Sequence, residues 1–114
     1  MFEDNNTREA IILSVHDGDT FDVEVKLGFD VKRKIRIRLS RINAPEVFGA
    51  EKFQGLVSKT FVEDNFLNKK VQVIDKRLDT RRTIVDVYVD LNDSQTNLSN
   101  LLVTQNFAIY ETFK

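Results

Sequence analysis

The chain has no cysteine, one histidine (His16) and one proline (Pro45) in 114 residues. Without cysteine there is no thiol nucleophile, no thiolate metal site and no disulfide. A serine–histidine triad would have to be built on His16, and nothing around that residue supports one. Any metal would be held by oxygen atoms, which favours calcium or magnesium over zinc. No apolar run approaches the ~20 residues of a membrane-spanning helix, so no membrane partner is expected. Residues 1–6 are acidic and polar and do not read as a secretory leader. That leaves localisation open between the cytoplasm and an exported protein whose leader has been removed.

What is present fits a single globular domain, residues 1–114, with one modest core. Hydrophobic residues make up 41% and charged residues 31%, ordinary values for such a chain. The net charge of −1 selects no partner, but the distribution is uneven. Lys32, Arg33, Lys34, Arg36, Arg38 and Arg41 crowd together, and Lys76, Arg77, Arg81 and Arg82 form a second cluster. A solvated charged strand and a phosphate-facing surface both explain the first run.

Residues 10–15, rich in Ile and Val, read as a strand that ends at the turn-forming pair Asp17-Gly18. Beyond it Phe21, Val23, Val25 and Leu27 alternate with polar residues, a period of two. Residues 28–30 turn the chain, and Ile35, Ile37 and Leu39 then alternate with Lys34, Arg36 and Arg38. This third strand has one apolar and one cationic face. From about 49 to 67 the apolar residues Phe53, Leu56, Val57, Phe61 and Leu67 recur near the helical period. Gly55 inside that helix costs about 1 kcal/mol against alanine, which predicts close packing on the sheet there, and Asn68 ends the helix.

Residues 71–75 and 83–90 are predicted strands joined by the basic loop 76–82. A short helix follows over about 97–105, with Leu98, Leu101 and Leu102 inward, a Thr96 or Asn97 cap, and a left-handed stop at Asn106. Three strands, a helix, two strands and a helix is the element order of a five-stranded Greek-key barrel of the OB type. The expected class is therefore mainly β with helices.

Three constellations have chemical potential. Asp19 shares the parity of Phe21, Val23 and Val25, which aims a carboxylate at the apolar side of its strand. It is either a hairpin turn residue or a group that needs a cation. Glu46 follows Pro45, which fixes the backbone and stops sheet pairing. It either opens the coming helix, where a carboxylate suits the dipole, or joins the oxygens of Asn43 and Ala44 beside it. Arg38 and Arg82 carry forks that match two phosphate oxygens; surface ion pairing is the other reading for each. All four groups fall at strand ends or loop edges of one small barrel.

These segments, Asp17-Gly18-Asp19-Thr20, Arg38-Leu39 and Ile42-Asn43-Ala44-Pro45-Glu46, resemble the staphylococcal nuclease (thermonuclease) family. The resemblance continues through Gly55, Phe61, Val71, Val73, Asp79, Arg82, Val87-Tyr88-Val89, Asn97, Leu101-Leu102-Val103 and Ala108, from about residue 10 to 110. It implies an OB barrel that hydrolyses DNA and RNA with calcium, leaving 3′-phosphates. It further implies metal ligation by Asp19, by Asn43 and by the Ala44 carbonyl, with Glu46 as general base on the attacking water. Arg38 and Arg82 would bind the phosphate, the second also assisting the leaving group.

Asn43 stands where the family has a second aspartate, which removes one negative charge from the metal site. The loop 76–82 is about one residue shorter than in staphylococcal nuclease, and Thr80 and Arg81 answer to its substrate-contacting lysine and tyrosine. Tyr110 is expected to take over part of the role of the family's substrate-flanking tyrosines. The family's last long helix would lie beyond Lys114. The expectation is a monomeric calcium-dependent endonuclease. The alternative is a nuclease-like barrel of weak or no activity that binds nucleic acid or protein.

Overall fold

Strand alternation and turn chemistry build a closed barrel in the computed structural model, which describes residues 7–76, 83–91 and 94–111. Strands β1 (Thr7–Asp17), β2 (Thr20–Gly28) and β3 (Val31–Leu39) form an antiparallel meander. The β2–β3 turn is taken by Gly28, Phe29 and Asp30, all at positive φ. After a two-residue strand β4 (Ile42–Asn43) and a single 3-10 turn, Gly49–Glu51, comes helix α1 (Lys52–Phe66). Strands β5 (Lys70–Asp75) and β6 (Thr83–Leu91) return antiparallel to one another. β7 (Ser94–Asn97), α2 (Leu98–Thr104) and β8 (Ile109–Tyr110) complete the described elements.

β5 pairs with β1, and β6 pairs in parallel with β3 through Ile37, Arg38 and Leu39. That parallel contact closes β1, β2, β3, β5 and β6 into the five-stranded OB barrel expected from element order. Closure removes the sheet edges that would otherwise be unpaired. Inside lie Ile12, Phe21, Val23, Ile37, Leu39, Val85 and Val87, with Val62 and Phe66 of α1 and Leu98 and Leu102 of α2 sealing the ends. The Asn97 side chain caps α2 by accepting from the Asn100 amide at 3.2 Å, and Asn106 stops the chain at φ 67. Asn68, at φ 62, turns the chain out of α1.

α1 departs from the predicted stripe. Its buried residues are Gly55, Ser58, Val62 and Phe66, whereas Phe53, Leu56 and Val57 are exposed. The small residues win because the helix must come close to backbone, not to a bed of side chains. A Cβ at Gly55 would land on the Glu46 carbonyl and lie 2.8 Å from the Val47 nitrogen. The close approach predicted at Gly55 is thus made to the 46–47 segment and not to the sheet. Three short strands add to the expected elements, and two of them matter: β4 and β8 pair Ile42 with Tyr110 and Asn43 with Ile109. Two residues give too little alternation to be read from sequence.

Candidate active site

Asp17, Asp19, Thr20, Arg36, Arg38, Asn43, Ala44, Glu46 and Thr83 line one cleft of about 470 Å3. They come from the β1–β2 turn, β3, the β4 segment and the start of β6, and the fold sets each in place by a local contact.

The Asp17 carboxylate accepts the Asp19 amide at 3.1 Å, which shapes the turn. Gly18 lets that turn lean on its neighbours, because a Cβ there would sit 2.8 Å from Ala44 Cβ and 3.0 Å from Ser58 Cβ. Ser58 in turn donates to the Phe107 carbonyl at 2.7 Å. Asp19 is 5% exposed. Its Oδ2 accepts the Ala44 amide at 2.8 Å, and its Oδ1 accepts the Thr20 hydroxyl at 3.1 Å. Burial, then the neighbouring Asp17 carboxylate, push the Asp19 pKa up to about 6, outweighing the Ala44 amide and the Arg38 guanidinium. Parity correctly sent this side chain inward, and its surroundings hold it there by hydrogen bonds.

Arg38 crosses the floor of the cleft. Its Nη2 donates to Asn43 Oδ1 at 2.6 Å and to the Ile42 carbonyl at 3.1 Å, and lies 3.4 Å from Asp19 Oδ2. Its Nη1 donates to the Leu39 carbonyl at 3.1 Å and pairs with Glu111 at 3.2 Å. The arginine therefore ties the turn, the Asn43 segment and the C-terminal side of β8 to one point. Glu46 presents an exposed carboxylate to the cleft from a backbone held under Gly55.

Not every predicted residue gathers here. Tyr110 does not line the cleft; its hydroxyl donates to Asn100 Oδ1 at 3.0 Å, and the Arg41 guanidinium lies 6.0 Å from its ring centroid. Thr80, Arg81 and Arg82 lie outside the described residues. Three further groups join the site. Asp17 reads in the sequence only as a turn residue, although it stands in the same tetrapeptide as Asp19. Arg36 shares the strand parity of Arg38, which is the available signal. Glu111 reaches Arg38 from far along the chain, and nothing in the sequence marks it.

Asp19, Asn43 and Ala44, the residues that the resemblance assigns to a cation, all line the cleft and offer only oxygen atoms as ligands. Among the described residues no three carboxylate or imidazole side chains converge into a metal cluster, so these residues make no tight all-protein cage. No helix among the described residues is long and apolar enough to cross a membrane. No curated protein matches the chain. A family model described as staphylococcal nuclease homologue matches residues 36–114, more than half of the chain, and that stretch contains Arg38, Asn43, Ala44 and Glu46. A closed OB barrel with this cleft, matched over most of its length, makes the chain a member of the staphylococcal nuclease homologue family.

Proposed function

We propose that the chain is a calcium-dependent endonuclease that hydrolyses DNA or RNA and leaves 3′-phosphate ends. The observation that carries the reading is the convergence of Asp19, Arg38, Asn43, Ala44 and Glu46 on one cleft from three separate segments. Asp19, Asn43 and the Ala44 carbonyl would hold the cation. When bound, it would polarise a phosphoryl oxygen and favour hydroxide over water.

Glu46 is exposed and lines the cleft, so its carboxyl group is placed to accept the proton of a water that attacks phosphorus. The new bond forms from the water oxygen to phosphorus, and the bond from phosphorus to the 5′-oxygen breaks; that oxygen takes up a proton from solvent and leaves as the 5′-hydroxyl, with Arg82 assigned to assist it by family resemblance. Arg38 is already fixed by backbone carbonyls, so it meets growing phosphorane charge with only one ion-pair partner to exchange. A phosphate there would take the place of Glu111 on Nη1. Arg82 is assigned the second phosphate contact by family resemblance, and Thr80, Arg81 and Tyr110 are candidate substrate contacts on the same basis.

A specific observation favours the second reading, a binding barrel without catalysis. Arg38 already draws in the Asn43 oxygen and lies beside the Asp19 carboxylate, so a neutral Asn43 leaves the cation to compete with a resident guanidinium.

The test compares wild type with Glu46→Gln on heat-denatured DNA, with calcium and then with chelator. Wild type should degrade the DNA only with calcium, and Glu46→Gln should slow it by at least a hundredfold with its fold intact. Equal clearance by both proteins, or none by either with calcium, manganese or magnesium, removes the catalytic assignment.

A further inference from the structure

On β3 the residues Lys32, Lys34, Arg36 and Arg38 share one parity and stand on the outer face of the barrel, away from Ile35, Ile37 and Leu39. Arg38 lies in the cleft, Arg36 lines its edge, and Lys34 and Lys32 continue the row away from it. We infer that this row is a binding track for the phosphates of a nucleic-acid strand that leaves the cleft along β3. The inference rests on the cleft being a nucleic-acid site and names the path that its substrate takes.

Spacing is the first argument. Alternate residues of a strand stand about 6.6 Å apart, so four cations cover about 20 Å. Neighbouring phosphates of one strand stand farther apart than their axial advance of about 3.4 Å, because the backbone winds about that axis, so the row can take about one phosphate per cation. The cations are sequential neighbours of Arg38 on a rigid paired strand, so the track starts at the reacting phosphate and keeps its register.

Charge placement is the second. Lys32 sits directly opposite Lys26 in the β2–β3 ladder, and like charges in that position destabilise the pair. Lys26 is relieved by Glu9 at 2.7 Å, whereas Lys32 reaches Glu24 only at 4.0 Å. Lys34 makes no ion pair among the described residues, although Glu24 faces it across the ladder. A polyanion would relieve charge that the fold leaves uncompensated. Arg36 differs, because its Nε donates to Asp22 at 3.1 Å while His16 and Ser14 contact the same carboxylate at 3.0 and 3.2 Å. Asp22 thereby holds Arg36 through its Nε, and Arg36 stands in the row between Arg38 in the cleft and the two lysines.

The test uses the double variant Lys32→Ala/Lys34→Ala, whose residues have no part in the hydrolytic machinery. A single-stranded 12-mer and a dinucleotide serve as ligands, and binding is measured in chelator over a range of salt. The variant should bind the 12-mer several-fold more weakly. Its slope of log affinity against log salt should be shallower by about 1.4, because each phosphate left without its lysine takes about 0.7 from the slope. Dinucleotide binding should be unchanged, and with calcium KM for long strands should rise with kcat held. Equal slopes and equal 12-mer affinity overturn the track, even if both proteins hydrolyse DNA. A slope change without hydrolysis by wild type upholds the track and removes the nuclease reading. No binding of either ligand by wild type overturns the track, and absence of hydrolysis with calcium then removes the nuclease reading as well.

Discussion

Asp19 and Asp22 stand on the same hairpin and respond to pH in opposite senses. Asp22 is pulled down to about 2, first by the Arg36 hydrogen bond and also by those from His16 and Ser14, against the cost of burial. Its folded pKa lies below the unfolded 3.8, so its stabilisation is present above that value and lost as pH falls toward 2. Asp19 is raised from 3.8 to about 6, so its favourable contribution belongs to the protonated form and is lost as pH rises through that window. Asp22→Asn should therefore melt below wild type near neutral pH and converge with it in acid. Asp19→Asn should melt above wild type near neutral pH in chelator, with the gain gone below about pH 4. Thermal unfolding of the three proteins across pH checks both signs, and a common pH profile would refute the two environments. At the same scale, Asn43→Asp should restore a charge facing Arg38 and lower the calcium concentration that half-activates hydrolysis. A calcium titration of the rate reads this directly.

Among the elements, α1 carries the clearest lesson. Helical period was legible in its apolar residues, but the face it buries was not, because Gly55 and Ser58 are selected by how near a backbone or turn must come. Gly18 and Gly55 are where the β1–β2 turn and the 46–47 segment press against their neighbours, and α1 touches both. Gly55→Ala would add helix propensity worth about 1 kcal/mol, yet its methyl group collides with the Glu46 carbonyl. The expected net result is a loss of about 1–3 kcal/mol, typical of overpacking, with hydrolysis reduced at least tenfold as Glu46 shifts. Urea unfolding and single-turnover rates measure the two effects separately. An active variant of wild-type stability would show that the 46–47 segment moves at no cost. Strands β4 and β8 teach the converse: their pairing seats Asn43 and leaves Tyr110 at the rim, bonded to Asn100.

For the molecule as a whole, the site is assembled by barrel closure, so ligand and fold stability are linked. Calcium that binds the folded form alone raises stability by about 2.7 kcal/mol at a hundred times its dissociation constant. Scanning calorimetry of wild type should show the melting temperature rising with calcium and falling back on chelation. Asp19→Asn should lose most of that response, and equal shifts in both would place the cation elsewhere. By itself the sequence determined the OB element order, the inward aim of Asp19, the cationic face of β3 and the stops at Asn68 and Asn106. Each depends on local periodicity or on a backbone angle, both written within a few residues. Only the tertiary structure decided that Arg38 sits among Asp19, Asn43 and Glu111, and that Gly55 holds Glu46. Those contacts join residues far apart in the chain, and no local pattern encodes a distance across a closed barrel.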